Sequence, residues 1–145
     1  MNHFFRQSLV FISIILIIVS CKKEGCTDLN AANYNNKAKK DNGSCTYEGS
    51  VVFWYDLSTS SLLETNGVTE LTYILNNTTI GTLSASSFWN EAPECGSENV
   101  ISVTYGIPND VVLDYEYSVL DQNGNERFSG TVSIKKGDCV KTQLQ

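Results

Sequence analysis

The side chains best suited to chemistry in this 145-residue chain are its five cysteines and its single histidine. His3 lies in the N-terminal segment, so residues 4–145 carry no imidazole. Its absence there excludes the Ser-His-Asp and Cys-His catalytic arrangements and the ordinary histidine metal sites. A tetrathiolate metal site would need CxxC spacing, which the chain lacks. The five cysteines therefore remain as the main candidates for chemistry.

Residues 1–20 have the three-part organisation of a secretory signal peptide. Arg6 stands in a short polar start, and an apolar core follows over residues 9–19, just before Cys21. The core is shorter than the about 20 apolar residues that a membrane-spanning helix needs. An uncleaved anchor helix is the alternative, but two lysines end the apolar run directly after Cys21. We therefore expect a cleaved signal.

The run Ile18-Val19-Ser20-Cys21 resembles the lipobox of bacterial lipoproteins, in which an aliphatic residue, a tolerated position and a small residue precede an obligatory cysteine. The resemblance implies that the Cys21 thiol receives diacylglycerol. It also implies that lipoprotein signal peptidase cuts between Ser20 and Cys21, and that the new amine is acylated, for example with palmitate. Several acyl chains on one residue anchor a protein firmly. We expect a lipid-anchored envelope protein at the outer membrane, with its periplasmic or surface exposure left open.

The four cysteines after Cys21 are even in number, which favours disulfides in an exported protein. Four cysteines allow three connectivities. We expect Cys26 to pair with Cys45, because they bracket a compact polar loop. We expect Cys95 to pair with Cys139, because they bracket the later strands.

Residues 21–47 form a spacer rich in Asn, Asp and Gly, with too few apolar groups for a core of its own. Residues 25–47 resemble a cysteine-bounded module of exported proteins from Bacteroidota-type bacteria, with the pattern GCTDxxAxNYNxxAxxDDGSCxY. The positions that fall on the pattern are Cys26, Asp28, Ala31, Asn33, Tyr34, Asn35, Ala38, Asp41, Gly43, Ser44, Cys45 and Tyr47.

Such modules look like calcium-binding thrombospondin type 3 repeats, in which Asp and Asn oxygens surround a hard cation. The resemblance implies that the oxygen donors here are Asp28, Asn33, Asn35 and Asp41. Asn42 stands in place of the second acid of the usual turn, which removes one charge. Asx side chains also close turns through hydrogen bonds to the backbone. We expect a structural spacer, with calcium binding as the alternative; no other cofactor is expected.

Charge is segregated along the chain, whose formal net charge is −6. All acids follow Cys21, and five of the ten basic residues lie close to the anchor: Lys22, Lys23, Lys37, Lys39 and Lys40. We do not expect a nucleic-acid partner, because such proteins carry a clustered basic face on their folded domain. A solvated surface is the simplest interpretation of the charges. A basic collar against anionic lipid headgroups is the alternative.

From Glu48 onward the apolar pattern has a period of two, which is typical of half-buried strands. Apolar and polar residues alternate most clearly over residues 126–135, 113–119 and 51–57. In the last of these ranges, Leu57 is the final member of the apolar row. Further strands are expected over 71–75, 79–84 and 100–105.

Residues 76–78 and 121–125 have turn composition, which indicates antiparallel hairpins. Pro93 and Pro108 are expected in loops, and no helical period is evident. Residues 48–145 are therefore predicted to form one domain, an all-β antiparallel β-sandwich of six to seven strands. It would follow a signal-peptide helix and a disulfide-closed irregular spacer.

The same domain resembles the C-terminal part of short uncharacterised lipoproteins, which open with a GSVVFW-like strand and close with a GTVxI strand before a cysteine. Residues 49–54, residues 130–134 and Cys139 carry this resemblance. It implies a fold class and no assigned activity.

The remaining candidates for chemistry are acids and aromatics. Asp110, Asp114 and Glu116 could serve a glycosidase only if two of them flanked a cleft, and alternation places the last two on the solvent face. Trp54 and Trp89 could stack on sugars or anchor a protein partner if exposed. We expect a non-enzymatic envelope protein with a structural or interaction role; the alternative is a glycan- or protein-binding module that uses these aromatics.

Overall fold

The computed structural model describes residues 23–145. The predicted signal-peptide helix, the lipobox-like run and the predicted cleavage and lipidation sites lie outside the described residues. The elements are β1 (Glu24–Gly25), β2 (Lys40–Asp41), β3 (Thr46–Trp54), α1 (Leu57–Thr65), β4 (Glu70–Leu75), β5 (Thr78–Ser84), β6 (Ile101–Pro108), β7 (Val112–Asp121), β8 (Glu126–Lys135) and β9 (Cys139–Gln143).

Seven of these strands form the two sheets of a β-sandwich, which confirms the predicted all-β class. One sheet has the order β6-β3-β9 and the other has the order β5-β4-β7-β8. Neighbouring strands are antiparallel except for β3 and β9, which pair in parallel from Ser50↔Cys139 to Trp54↔Gln143. The sandwich is therefore not purely antiparallel.

The core between the sheets comes from the alternation that the sequence shows. Phe53 of β3 lies 6.1 Å from Tyr73 of β4 and 5.1 Å from Tyr117 of β7, between ring centroids. Burial of apolar area is the main favourable contribution to folding, at about 25 cal/mol per Å². The fully buried aliphatic residues of this core include Val51, Leu71, Leu75, Ile107, Val119, Ile134 and Leu144.

The helix α1 corrects the prediction that the domain has no helix. Asp56 is its N-cap, because the carboxylate accepts a hydrogen bond of 2.9 Å from the backbone N–H of Thr59. Leu57, expected in the apolar row of the preceding strand, is instead the first helical residue and is 54% exposed. Leu63 and Ser60 are the buried residues of the helix.

One further prediction at a strand end was wrong, and one strand was not predicted. Pro108 was expected in a loop, yet it is the last residue of β6 and pairs with Thr46. The position suits proline, because β6 is an edge strand. Strand β9 was not predicted, since its partner β3 lies far away in the sequence.

Candidate functional site

The spacer module is folded against Lys23, the first of the described residues. The backbone N–H of Lys39 donates a 2.7 Å hydrogen bond to the carbonyl of Lys23. Strand β1 begins at Glu24, the residue after Lys23, and it pairs in parallel with β2. Residues 39–41 therefore lie beside residues 23–25, although they are far apart along the chain.

The predicted pairing of Cys26 with Cys45 is confirmed, with Cα atoms 4.8 Å apart. The bridge is buried with Ala31 and Tyr47 in a small cluster separate from the sandwich core. A module with so few apolar residues needs such a covalent closure, because its own burial is too small to order it.

The four predicted calcium donors all accept hydrogen bonds from the protein itself. Asp28 accepts from the backbone N–H of Asn30 at 2.9 Å, and Asp41 accepts from that of Gly43 at 2.8 Å. These are Asx turns, in which a side-chain oxygen replaces a backbone carbonyl.

The two asparagines also accept through their side-chain oxygens, Asn35 in an Asx turn and Asn33 across the module. The side-chain oxygen of Asn33 accepts from the N–H of Thr46 at 2.9 Å, and that of Asn35 accepts from the N–H of Lys37 at 3.1 Å. Over residues 23–145, no group of three or more His, Cys, Asp or Glu side chains is placed to hold one metal ion. The arrangement fits turn closure, and calcium binding stays a prediction from the resemblance.

Tyr47 joins the module to the sandwich. Its hydroxyl donates a 2.6 Å hydrogen bond to the Asp28 carboxylate, and Lys136 Nζ lies 4.8 Å from its ring centroid. The hydrogen bond to Asp28, helped by burial, raises the pKa of Tyr47 to about 12. The same hydrogen bond lowers the pKa of Asp28. These contacts fix how the module sits on the first strand of the sandwich.

The predicted pairing of Cys95 with Cys139 is also confirmed, with Cα atoms 5.8 Å apart. It ties the loop between β5 and β6 to β9 across the outer face of the three-stranded sheet. The loop is held further by the Lys141–Glu94 ion pair at 2.5 Å. Val52 points away from the sandwich core yet is fully buried, which shows that this outer face is covered.

The two tryptophans are partly buried. Trp54 is half-buried on the same side of β3 as Val52, and its indole Nε1 is buried without a hydrogen-bond partner among the described residues. Trp89 is half-buried, and its backbone N–H donates to the carbonyl of Tyr55 at 3.0 Å. Both side chains are therefore only partly accessible to solvent, and a role in binding a sugar or a protein stays a prediction.

The three acids considered for catalysis lie on the surface. Asp114 and Glu116 are exposed on the outer face of β7, as alternation predicted, and Asp114 accepts a hydrogen bond from Ser133. Asp110 is 83% exposed and lies 4.0 Å from Lys136 Nζ. Glu116 borders an open polar depression of about 310 Å³ that Glu126 also lines.

Asp121 is the one buried carboxylate of the described residues, and it was not predicted from the sequence. Its side chain is fully buried and accepts hydrogen bonds from Asn123, Asn125 and Arg127, the last at 2.7 Å. Burial raises the pKa of this carboxyl, but the hydrogen bonds from Asn125, Arg127 and Asn123 outweigh burial and hold the pKa well below its usual value. The signal was present in the sequence: Asp121 continues the inward-facing row of β7, and Arg127 follows just after the turn.

Comparison of the chain with known protein families, curated proteins and solved structures gives no match. Across residues 23–145, no helix has the length and apolar content needed to cross a membrane.

Proposed function

We propose that the protein is a non-catalytic lipoprotein of the cell envelope, anchored through lipid on Cys21 and presenting one β-sandwich close to the membrane. The lipobox-like run Ile18-Val19-Ser20-Cys21 carries the proposal. The short connection to the folded part supports it. Only Lys22 and Lys23 separate Cys21 from β1, so the connection spans at most about 10 Å.

The construction of the folded part supports a structural or interaction role. Two disulfides close it, one across the module and one across the sandwich. Such bridges suit an oxidising compartment outside the cytoplasm. The absence of histidine after His3 and the solvent exposure of Asp110, Asp114 and Glu116 favour a role without acid-base catalysis. Placement at the outer membrane and the absence of catalysis are parts of this proposal.

Replacing the lipid-carrying residue tests the proposal. The Cys21→Ala variant should lose metabolic labelling by a palmitate analogue and should leave the membrane fraction, because the thiol is the attachment point. The Ser20→Ala variant is the matched control, since alanine is also small and should keep both. Wild-type protein that incorporates no lipid, or that salt washes from membranes, would contradict the anchor.

Protease treatment of intact cells then tells surface exposure from a periplasmic location. Digestion of the folded part on intact cells would place it on the surface. Protection that is lost on rupturing the outer membrane would place it on the periplasmic face.

A further inference from the structure

Basic and acidic residues are concentrated in different parts of the chain: residues 22–40, next to Cys21, and residues 41–145, named here the body. Residues 22–40 contain five lysines against two acids, Glu24 and Asp28. Residues 41–145 contain four basic residues against fourteen acids. Opposite charges are therefore concentrated in different parts of the molecule, and the basic part adjoins Cys21.

The fold gathers lysines that are distant in the sequence into one place. The hydrogen bond from Lys39 to Lys23 and the pairing of β1 with β2 return residues 39–40 to the start of the described chain. Lys37 is in the turn that leads into this pair. The side chains of Lys23, Lys37, Lys39 and Lys40 are all exposed.

Two acids lie beside this group, Glu24 and Asp41, and the Asp41 carboxylate accepts hydrogen bonds from the Gly43 N–H at 2.8 Å and the Thr27 hydroxyl at 3.4 Å. Glu24 Oε1 accepts from Lys40 Nζ at 2.6 Å. In the described part of the chain, the ammonium groups of Lys23, Lys37 and Lys39 lie beyond ion-pair distance of any carboxylate. Three cations thus face solvent beside the residue from which the chain continues toward Cys21.

We propose that Lys23, Lys37 and Lys39, named here the basic collar, bind the headgroups of an anionic phospholipid surface. The collar rests on the proposed lipid anchor, which holds it within a few residues of the bilayer. Each lysine near an anionic surface is attracted to it over about a Debye length, close to 10 Å at 0.1 M salt. The acidic body is repelled by the same surface. The two effects together orient the sandwich away from the membrane and keep the module against it.

Lysine acylation of the full-length lipidated protein in vesicles measures this contact. The protein is placed in neutral phosphatidylcholine vesicles and in vesicles that also contain phosphatidylglycerol, and the modification rate of each lysine is followed by mass spectrometry. We expect the collar lysines to react about fivefold more slowly in the anionic vesicles at low salt, which corresponds to about 1 kcal/mol of attraction per lysine. Lys141 lies on β9 and is the internal control, so its rate should not change. At about 1 M salt the difference should disappear, because the Debye length falls to about 3 Å.

A double variant separates the collar from the anchor. Lys37→Gln with Lys39→Gln should reduce the protection of Lys23 in anionic vesicles, whereas Lys141→Gln should leave it unchanged. Both variants should float with vesicles as the wild type does, because lipid holds them. Equal collar rates in neutral and anionic vesicles, for protein that floats with both, would overturn the collar and leave the anchor intact. Protein that floats with neither vesicle would instead overturn the proposed function.

Discussion

Gly49 is in β3, and it lies beside the connection through which the chain passes from one sheet of the sandwich to the other. Residues 136–138 connect β8 in the four-stranded sheet to β9 in the three-stranded sheet, and Gly137 donates to the carbonyl of Glu48, the neighbour of Gly49 in β3. A Cβ on Gly49 would lie 2.5 Å from the Lys135 carbonyl oxygen and 2.5 and 2.8 Å from the side chains of Ile107 and Ile134. The side chains could rotate, but the carbonyl belongs to a paired strand.

We predict that Gly49→Ala destabilises the fold by about 1–3 kcal/mol, the usual cost of adding a methyl group to a well-packed core. Gly106→Ala is the matched control, because Gly106 lies in the adjacent strand β6 and pairs with Glu48, and a Cβ added there would have no neighbouring atom within 4 Å. Neither glycine has a positive φ, so alanine is allowed at both positions. The control should be neutral or up to about 1 kcal/mol more stable, because alanine lowers the entropy of the unfolded chain.

Urea unfolding in oxidising buffer, followed by tryptophan fluorescence, checks the prediction. For an m-value of about 1–3 kcal/mol per molar urea, the Gly49→Ala midpoint should fall by about 1 M. Equal midpoints for the Gly49 and Gly106 variants would refute the reasoning, since they would show that the sheets do not meet so closely at Gly49.

Two further predictions concern the covalent and ionic closures of the fold. Replacing Cys95 and Cys139 by alanine should lower the free energy of unfolding, measured with denaturant, by about 4 kcal/mol, and replacing Cys26 and Cys45 should lower it by about 3 kcal/mol. The first effect is larger because a cross-link over 44 residues restricts the unfolded chain more than one over 19 residues. The reverse order would contradict this reasoning. Asp121→Asn should destabilise at about pH 7, and the difference from wild type should shrink below about pH 4, because a carboxyl with a lowered folded pKa contributes stability that is lost as it protonates. If the difference in thermal midpoint between wild type and Asp121→Asn does not change with pH, the ionised carboxylate of Asp121 is not what stabilises the fold.

The strands that the sequence predicted are those whose pattern is local. In β7 and β8, apolar residues alternate with polar ones, and their hairpin turn lies between them. Burial of one face then requires the observed register, because a slip of one residue would turn the apolar side chains outward. The two disulfides were predictable for a similar reason, since each pair brackets a continuous segment.

The sequence could not show what depends on distant partners. Strand β9 has a weak pattern of its own and is a strand because β3 offers it a parallel edge. The nine residues of α1 are rich in Ser and Thr, which are poor helix formers, so packing of Leu63 and the Asp56 cap decide the helix. Leu57 therefore looked like the end of a strand.

The candidate site divides in the same way. Lipid attachment at Cys21 is a prediction from four consecutive residues, because a lipobox is a short linear pattern that needs no folded domain. The basic collar exists only after Lys39 returns to Lys23, and the loop between β5 and β6 is held against β9 by the Cys95–Cys139 bridge and the Lys141–Glu94 ion pair. The sequence alone thus predicted lipid attachment and both disulfide pairings, and the structure confirms the pairings. Which side chains come together on the surface was decided by tertiary contacts, because these join residues that lie far apart in the chain.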